Sequence, residues 1–252
     1  MICKKFRPSV FLAVSAVFIL FCLNSVASAF ELPAQTQQAI VGLSSGWNSS
    51  KVTLTLYEKR GNIWHRVGGP IPGRLGKSGL AWGLGIHPVP AEAQLKKEGD
   101  NRAPAGVFLI GGAWGYAADI QRNPRLPYHQ ITARDLWVED VNSPSYNRHL
   151  TLSHEPQTAW EKKQQMRQND EAHSLKVFIA HNAAPQTKPG YGSAIFFHIW
   201  RGGGSKPTAG CTTLAKNSLK TIAAWLDPAK SPAYILLPAK EYNRLRAPWR
   251  LP

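Results

Sequence analysis

The sequence predicts a mostly β fold with a few helices, built as one domain over residues 30–252. Three observations predict it. Nineteen prolines and twenty-one glycines are spread along the chain. Between them lie short runs that alternate apolar and polar residues or are rich in β-branched and aromatic ones, as strands bounded by turns are. One segment alone carries a well-signalled helical period. No internal repeat divides the chain, and its length suits a single core.

The first element reads as an address. Lys4, Lys5 and Arg7 form a basic start, Val10 to Leu23 is an almost unbroken apolar run, and Ala27-Ser28-Ala29 offers the small-x-small pattern that signal peptidase cuts after. The expectation is export, to the periplasm or cell wall, with residues 1–29 removed and Phe30 as the new N-terminus. An uncleaved anchor is the rival, but the run is short of the roughly 20 residues a membrane-spanning helix needs. No later run is long enough to span, so no stable membrane span is expected after cleavage. Cys22 follows Phe21 rather than a small residue, which argues against a lipoprotein.

Strands follow. Val52, Leu54 and Leu56 alternate with Thr53, Thr55 and Tyr57, the pattern of a half-buried strand. Gly106 to Ile110, Leu136 to Val138, Lys176 to His181, Ala194 to Trp200 and Ala233 to Leu237 are further strands, while the polar stretch Glu161 to Asp170 fits a short exposed helix or a loop. Near the C-terminus, Leu219, Ile222, Ala223 and Leu226 recur at helical spacing, with Asn217 or Ser218 to cap them. Asp227-Pro228 ends that helix, because proline disfavours a helical residue before it. Cys211 is then expected in the segment entering the helix, where unpaired backbone N–H groups can point at an anion.

Charge and cysteine count narrow the function. Loss of Lys4, Lys5 and Arg7 takes the formal charge from +15 to +12, still basic enough to favour anionic partners. For an exported chain these are the cell wall and the membrane surface; nucleic acid is not expected, for want of an interleaved aromatic and basic motif. Charge alone also fits plain solubility. Removal of residues 1–29 takes Cys3 and Cys22 with it and leaves Cys211 unpaired. Exported proteins pair their cysteines or lack them, so a lone thiol is a candidate nucleophile. A small buried hydrophobe and an intermolecular disulfide are the alternatives.

The segment Ala194 to Trp200 is apolar on both faces except at His198, as expected of a central strand with one ionisable group. The loop from Arg201 to Gly210 is long enough to fold back and bring Cys211 to that imidazole. His198 can then take the thiol proton, giving a thiolate–imidazolium pair that attacks carbonyls near neutral pH. In the turn from Thr208 to Cys211, Gly210 lets the backbone bend without a Cβ in the way. N–H groups around Gly210 and Cys211 are candidate oxyanion donors. His181, Tyr191 and Arg201 are candidates for lining the cleft, each equally open to a structural role.

These residues resemble a known family. His198 followed by Thr208-Ala209-Gly210-Cys211 is similar to the histidine and (Ser/Thr)-x-Gly-Cys signature of the YkuD-type L,D-transpeptidases. Gly99 to Phe108 resembles that family's G-x-x-x-T-P-x-G-x-F segment. Trp137-Val138-Glu139-Asp140 with Ser145-Tyr146-Asn147, and Gly192 to His198, look like an exported subgroup of it. The resemblance is strongest over residues 43–238. It differs at Ile199 and Thr213, where better-studied members carry glycine and arginine or asparagine. The resemblance implies a YkuD-like β-sandwich, a cysteine nucleophile at Cys211, a histidine acid/base at His198 and peptidoglycan stem peptides as substrate. It also implies acylation by carbapenems. Transpeptidase, L,D-carboxypeptidase and endopeptidase remain open, since the acceptor decides among them.

Other readings compete. Eight histidines (His65, His87, His129, His149, His154, His173, His181 and His198) and one cysteine could supply zinc ligands, but no pair has H-x-x-x-H or H-E-x-x-H spacing, so no metal site and no cofactor is expected. Endopeptidases of the NlpC/P60 kind place cysteine before histidine, the reverse of the order here, and sortases separate the two by much more. A non-catalytic, basic wall-binding module is the reading outside enzymes.

Overall fold

The computed structural model describes Met1 and residues 30–252; the expected export signal lies outside the described residues. The strands of its first half are β1 (Gln38–Ser44), β2 (Lys51–Arg60), β3 (Ile63–Arg74), β4 (Leu80–Trp82), β5 (Ala103–Gly115) and β6 (Tyr128–Gln130). There follow β7 (Asp135–Trp137), β8 (His149–Thr151), α1 (Ala159–Gln164), β9 (Leu175–Ile179), β10 (Phe196–Ile199), β11 (Thr212–Leu214), α2 (Lys216–Trp225), β12 (Ala233–Pro238) and α3 (Ala239–Leu245).

The mostly β expectation holds, and the main sheet curls into a barrel-like sandwich. Its strands run β12-β1-β2-β3-β11-β10-β9-β5, and β5 pairs back onto β12. Closure satisfies backbone groups that a free sheet edge would leave unpaired. Strands β4 and β6 attach to β5, and β7 with β8 forms a separate small sheet. All six residues of β12 are buried. Ile40, Leu54, Phe108, Phe197 and Tyr234 fill the interior beside them, each large side chain contributing about 2 kcal/mol through the apolar area it removes from water. On β2, Val52, Leu54 and Leu56 point inward as their alternation predicts. No helix among the described residues is long and apolar enough to cross a membrane.

Several expectations are corrected in detail. Strand β3 is mostly exposed and contains Gly68, Gly69, Pro70, Pro72 and Gly73. It has no apolar alternation to read, and is held extended by its antiparallel pairing with β2. The segment 194–200 contributes a shorter strand, because Ala194 adopts a positive φ of 53° and leaves the ladder. The polar stretch after Thr158 divides. Its start lies in α1, whose N-terminus is capped by a capping box between Thr158 and Glu161, and the rest is not helical.

Helix α2 starts earlier than its cap residues suggest. Ala215 stands at the N-cap without a side-chain bond, and Asn217 and Ser218 fall inside the first turn. Burial of Leu219, Ile222 and Ala223 fixes its position, outweighing the roughly 1 kcal/mol a polar cap contributes. Asp227 caps the short 3-10 turn that follows, its Oδ1 accepting from the Ala229 amide at 3.0 Å. Strand β11 intervenes between Cys211 and α2. The thiol therefore does not sit at a helix N-terminus, and the anion-binding role expected from one is withdrawn.

Candidate active site

Strands β10 and β11 run parallel, with Phe197 opposite Thr212 and His198 opposite Thr213. Side chains alternate along strands, so Cys211, one residue before Thr212, extends the register toward Phe196 and falls on the face that carries His198. Both line one cleft of 280 Å³, together with Thr208, Arg201, His173 and Glu139. A larger hollow of 680 Å³, lined by Lys59, Trp64, Arg246 and Arg250 among others, holds no cysteine, histidine or carboxylate. Chemistry, not size, singles out the cleft.

The histidine is oriented by its own strand. His198 is buried, and its Nδ1 lies 2.9 Å from the carbonyl oxygen of Ile199. The carbonyl can only accept, so Nδ1 carries the proton and Nε2 is left with a free lone pair. Burial, then the neighbouring His173 charge, lowers the His198 pKa to about 3. The ring is neutral near pH 7.

Among the described residues Cys211 is the free thiol, partly exposed as a residue. Its Sγ accepts from the Phe196 amide and donates to the Ala194 carbonyl oxygen, each at 3.4 Å. Burial raises the thiol pKa, with the Phe196 amide and Lys176 acting against it. Burial thus favours the uncharged form of both groups, a neutral thiol in the same cleft as a neutral imidazole. Among charged groups, Lys176 favours a developing thiolate most. Its Nζ donates to the Met166 carbonyl at 3.1 Å, and burial lowers its pKa to about 8.

Thr208 builds the turn. Its hydroxyl donates to the Cys211 carbonyl at 2.7 Å and accepts from the Gly210 amide at 3.1 Å. The Gly210 N–H is therefore engaged and is no oxyanion donor in this arrangement. The amide of Cys211 has no partner among the described residues. Gly210 serves by its size: a Cβ there would meet the Arg102 carbonyl at 3.1 Å and Ile195 at 3.2 Å.

The cleft candidates separate. Arg201 lines the cleft, with Nη2 on Asp170 at 2.6 Å. His181 does not: it is fully buried, its Nδ1 accepting from the Leu84 amide at 3.1 Å and its Nε2 donating to the Tyr191 carbonyl at 2.8 Å. Tyr191 supplies that carbonyl, and its ring receives Lys97 at 4.0 Å. Neither lines the cleft.

Three groups went unrecognised in the sequence. His173 lies against His198, and its Nδ1 is 2.7 Å from Asp170. Glu98, in the cleft wall, accepts from Ser193 at 2.8 Å and from the Tyr146 hydroxyl. Glu139 is exposed as a residue, yet desolvation by the cleft walls, with the charge of Glu98, raises its carboxyl. Asn147 acts from behind. Its Oδ1 accepts from Trp137 Nε1 at 2.9 Å and the Ala194 amide at 3.0 Å, fixing the residue whose carbonyl receives the thiol. Glu139 and Asn147 both stand in motifs that carry the family resemblance, without a role assigned to either; His173 was only one of eight histidines, and Glu98 carried no distinguishing spacing.

Comparison with known proteins gives one strong match. The YkuD model, L,D-transpeptidase catalytic domain, matches residues 47–235. No curated protein matches the sequence. Among solved structures, that of Bdellovibrio bacteriovorus Bd1075 is similar over 88% of this chain, at 12% identity and a TM-score of 0.39. The chain spans 55% of that protein's length, and likeness at this level transfers neither fold nor activity.

Proposed function

This chain belongs to the YkuD L,D-transpeptidase catalytic-domain family, and from that premise we propose that it is a cysteine-dependent acyltransferase acting on peptidoglycan stem peptides. The observation that carries the reading is the shared cleft of Cys211 and His198, in which the Nδ1 bond to Ile199 leaves His198 Nε2 able to accept a proton.

In this mechanism a stem peptide enters the cleft and its scissile carbonyl, after the L-centre of a diamino acid, approaches Cys211. His198 Nε2 takes the thiol proton as Sγ attacks the carbonyl carbon. The oxyanion draws on the free Cys211 amide. Collapse expels the terminal residue as an amine, which receives the proton from His198, and leaves a thioester. An acceptor amine then attacks the thioester, its proton passes to His198, and the thiol is restored. Water as acceptor makes the same site an L,D-carboxypeptidase, and a scissile crosslink makes it an endopeptidase. Export to the periplasm or wall, and attraction of the basic surface to anionic wall polymer, belong to the same proposal.

The test incubates wild type and Cys211→Ala with disaccharide tetrapeptide and reads products by mass spectrometry. Crosslinked or trimmed products from wild type alone are expected. Absence of any thiol-dependent product on stem-peptide substrates would leave the wall-binding module as the surviving reading.

A further inference from the structure

Away from the cleft, three side chains from separate elements converge. His129 lies on β6 and His149 on β8, while Asp135 opens β7. The β7–β8 register sets Trp137 opposite His149 and Asp135 opposite Thr151, all on one face. Strand β6, paired to β5, brings His129 in from the main sheet beside Trp114. Nε2 of His129 and Nε2 of His149 stand 2.7 and 2.9 Å from the same oxygen, Asp135 Oδ1. One candidate ligand atom from each residue lies within 4.8 Å of the other two.

We propose that His129, Asp135 and His149 form a site for one divalent transition-metal ion of the zinc class. Two imidazoles and one carboxylate are the ligand types and number of open zinc sites, in which a fourth position is left for water. Zinc takes imidazole nitrogen and carboxylate oxygen at about 2.0–2.2 Å, a distance these atoms reach with small ring movements. His129 is 43% exposed and free to make them. The carboxylate is prepared for the role. It is fully buried, and its Oδ2 is fixed by the Thr132 amide and hydroxyl, each at 2.7 Å.

Oδ1 also accepts from Thr151 at 2.9 Å, so five donors converge on one carboxylate. That exceeds its roughly four acceptor positions. A cation removes the surplus, because each imidazole then turns a lone pair to the ion and sheds its Nε2 proton. Burial opposes the charge of Asp135, yet the Thr132, His149 and Thr151 bonds outweigh it and hold the carboxyl far below the usual range. No short histidine spacing announces this site in the sequence, because its ligands come together only through sheet pairing.

Such an ion ties β6 to the β7–β8 sheet behind Trp137, whose ring stacks on His149 and meets Phe196 edge-on at 4.7 Å. The site is independent of the acyl-transfer reading. Its test uses the full chain carrying Cys211→Ser, stripped with chelator and titrated with zinc chloride by calorimetry, with cobalt absorption as a second readout. One equivalent is expected to bind and to raise the melting temperature, and His129→Ala and His149→Ala each weaken binding at least about 100-fold. His129→Ala keeps the test sound if the more enclosed His149 variant fails to fold. No binding overturns the site, as does binding unchanged in His129→Ala. Binding by wild type that vanishes in Cys211→Ser assigns the ion to the cleft and also overturns it.

Discussion

The imidazole of His173 lies against that of His198, ring centroids 4.9 Å apart and planes 24° from parallel. Asp170 anchors His173 at 2.7 Å and binds Arg201 at 2.6 Å, so one carboxylate holds two residues of the cleft wall. His198 is therefore fixed twice, at Nδ1 by the Ile199 carbonyl and across its face by a neighbouring ring.

Removal of that second restraint should slow the chemistry more than it weakens binding. For His173→Ala we expect kcat to fall on the order of 10-fold to 100-fold with KM little changed, since misplacement of a reacting group costs orientation. His173→Phe, which restores a ring, should recover most of the loss. Equal rates in wild type and His173→Ala would remove His173 from any positioning role.

The pH profile follows from the direction of the histidine shift. In the proposed mechanism His198 acts as a base and must be uncharged. Burial, followed by His173, takes its pKa to about 3, so the active form persists well below the ordinary imidazole range. Rates of carbapenem acylation, followed by intact mass wherever circular dichroism shows folded protein, should stay level down to about pH 5. An acid limb centred near 6.5 would mean that His198 is solvated in the working enzyme.

The same burial makes the fold acid-sensitive. His181 and His198 are held to about 3 and His87 to about 4, each first by desolvation. Below the unfolded value near 6.5 the unfolded chain binds protons that the folded chain refuses, so stability falls as pH drops. Each such group contributes up to about 1.4 kcal/mol per pH unit until its folded pKa is reached. The urea midpoint should be clearly lower at about pH 5 than at about pH 7; an unchanged midpoint contradicts the neutral, buried state of these rings.

Asn147→Leu tests the support behind Cys211. The variant orphans the Trp137 and Ala194 donors and the His181 and Asn182 carbonyls, the latter two now bonded at 3.1 and 2.8 Å. Each unsatisfied buried group costs about 1–3 kcal/mol, so denaturant unfolding should show a loss of several kcal/mol and acylation of Cys211 should fall with it. A loss below about 1 kcal/mol would show that water replaces the amide.

Thr208→Val removes both bonds of the Cys211 turn while keeping its shape. Stability should drop by only about 1–2 kcal/mol, and acylation should slow by a larger factor, because the turn sets the thiol and its amide. The freed Gly210 N–H makes the opposite result informative: faster acylation would identify it as an oxyanion donor released by the substitution.

Local features were legible in the order of residues alone. Period-2 alternation placed Val52, Leu54 and Leu56 inside, an apolar run with one histidine marked β10, and the Thr208 to Cys211 turn pointed to the candidate nucleophile, since each signal lies within a few neighbouring residues. Which groups meet was settled by strand pairing and burial. Closure of β5 onto β12 and the parallel register of β10 with β11 bring Cys211 and His198 to one face. The same pairing buries His181 while leaving Arg201 on the cleft, sets His173 against His198, and gathers His129, Asp135 and His149 from three strands. Strand pairing joins residues far apart in the chain, and burial then assigns their protonation states; neither is written in the spacing of the residues themselves.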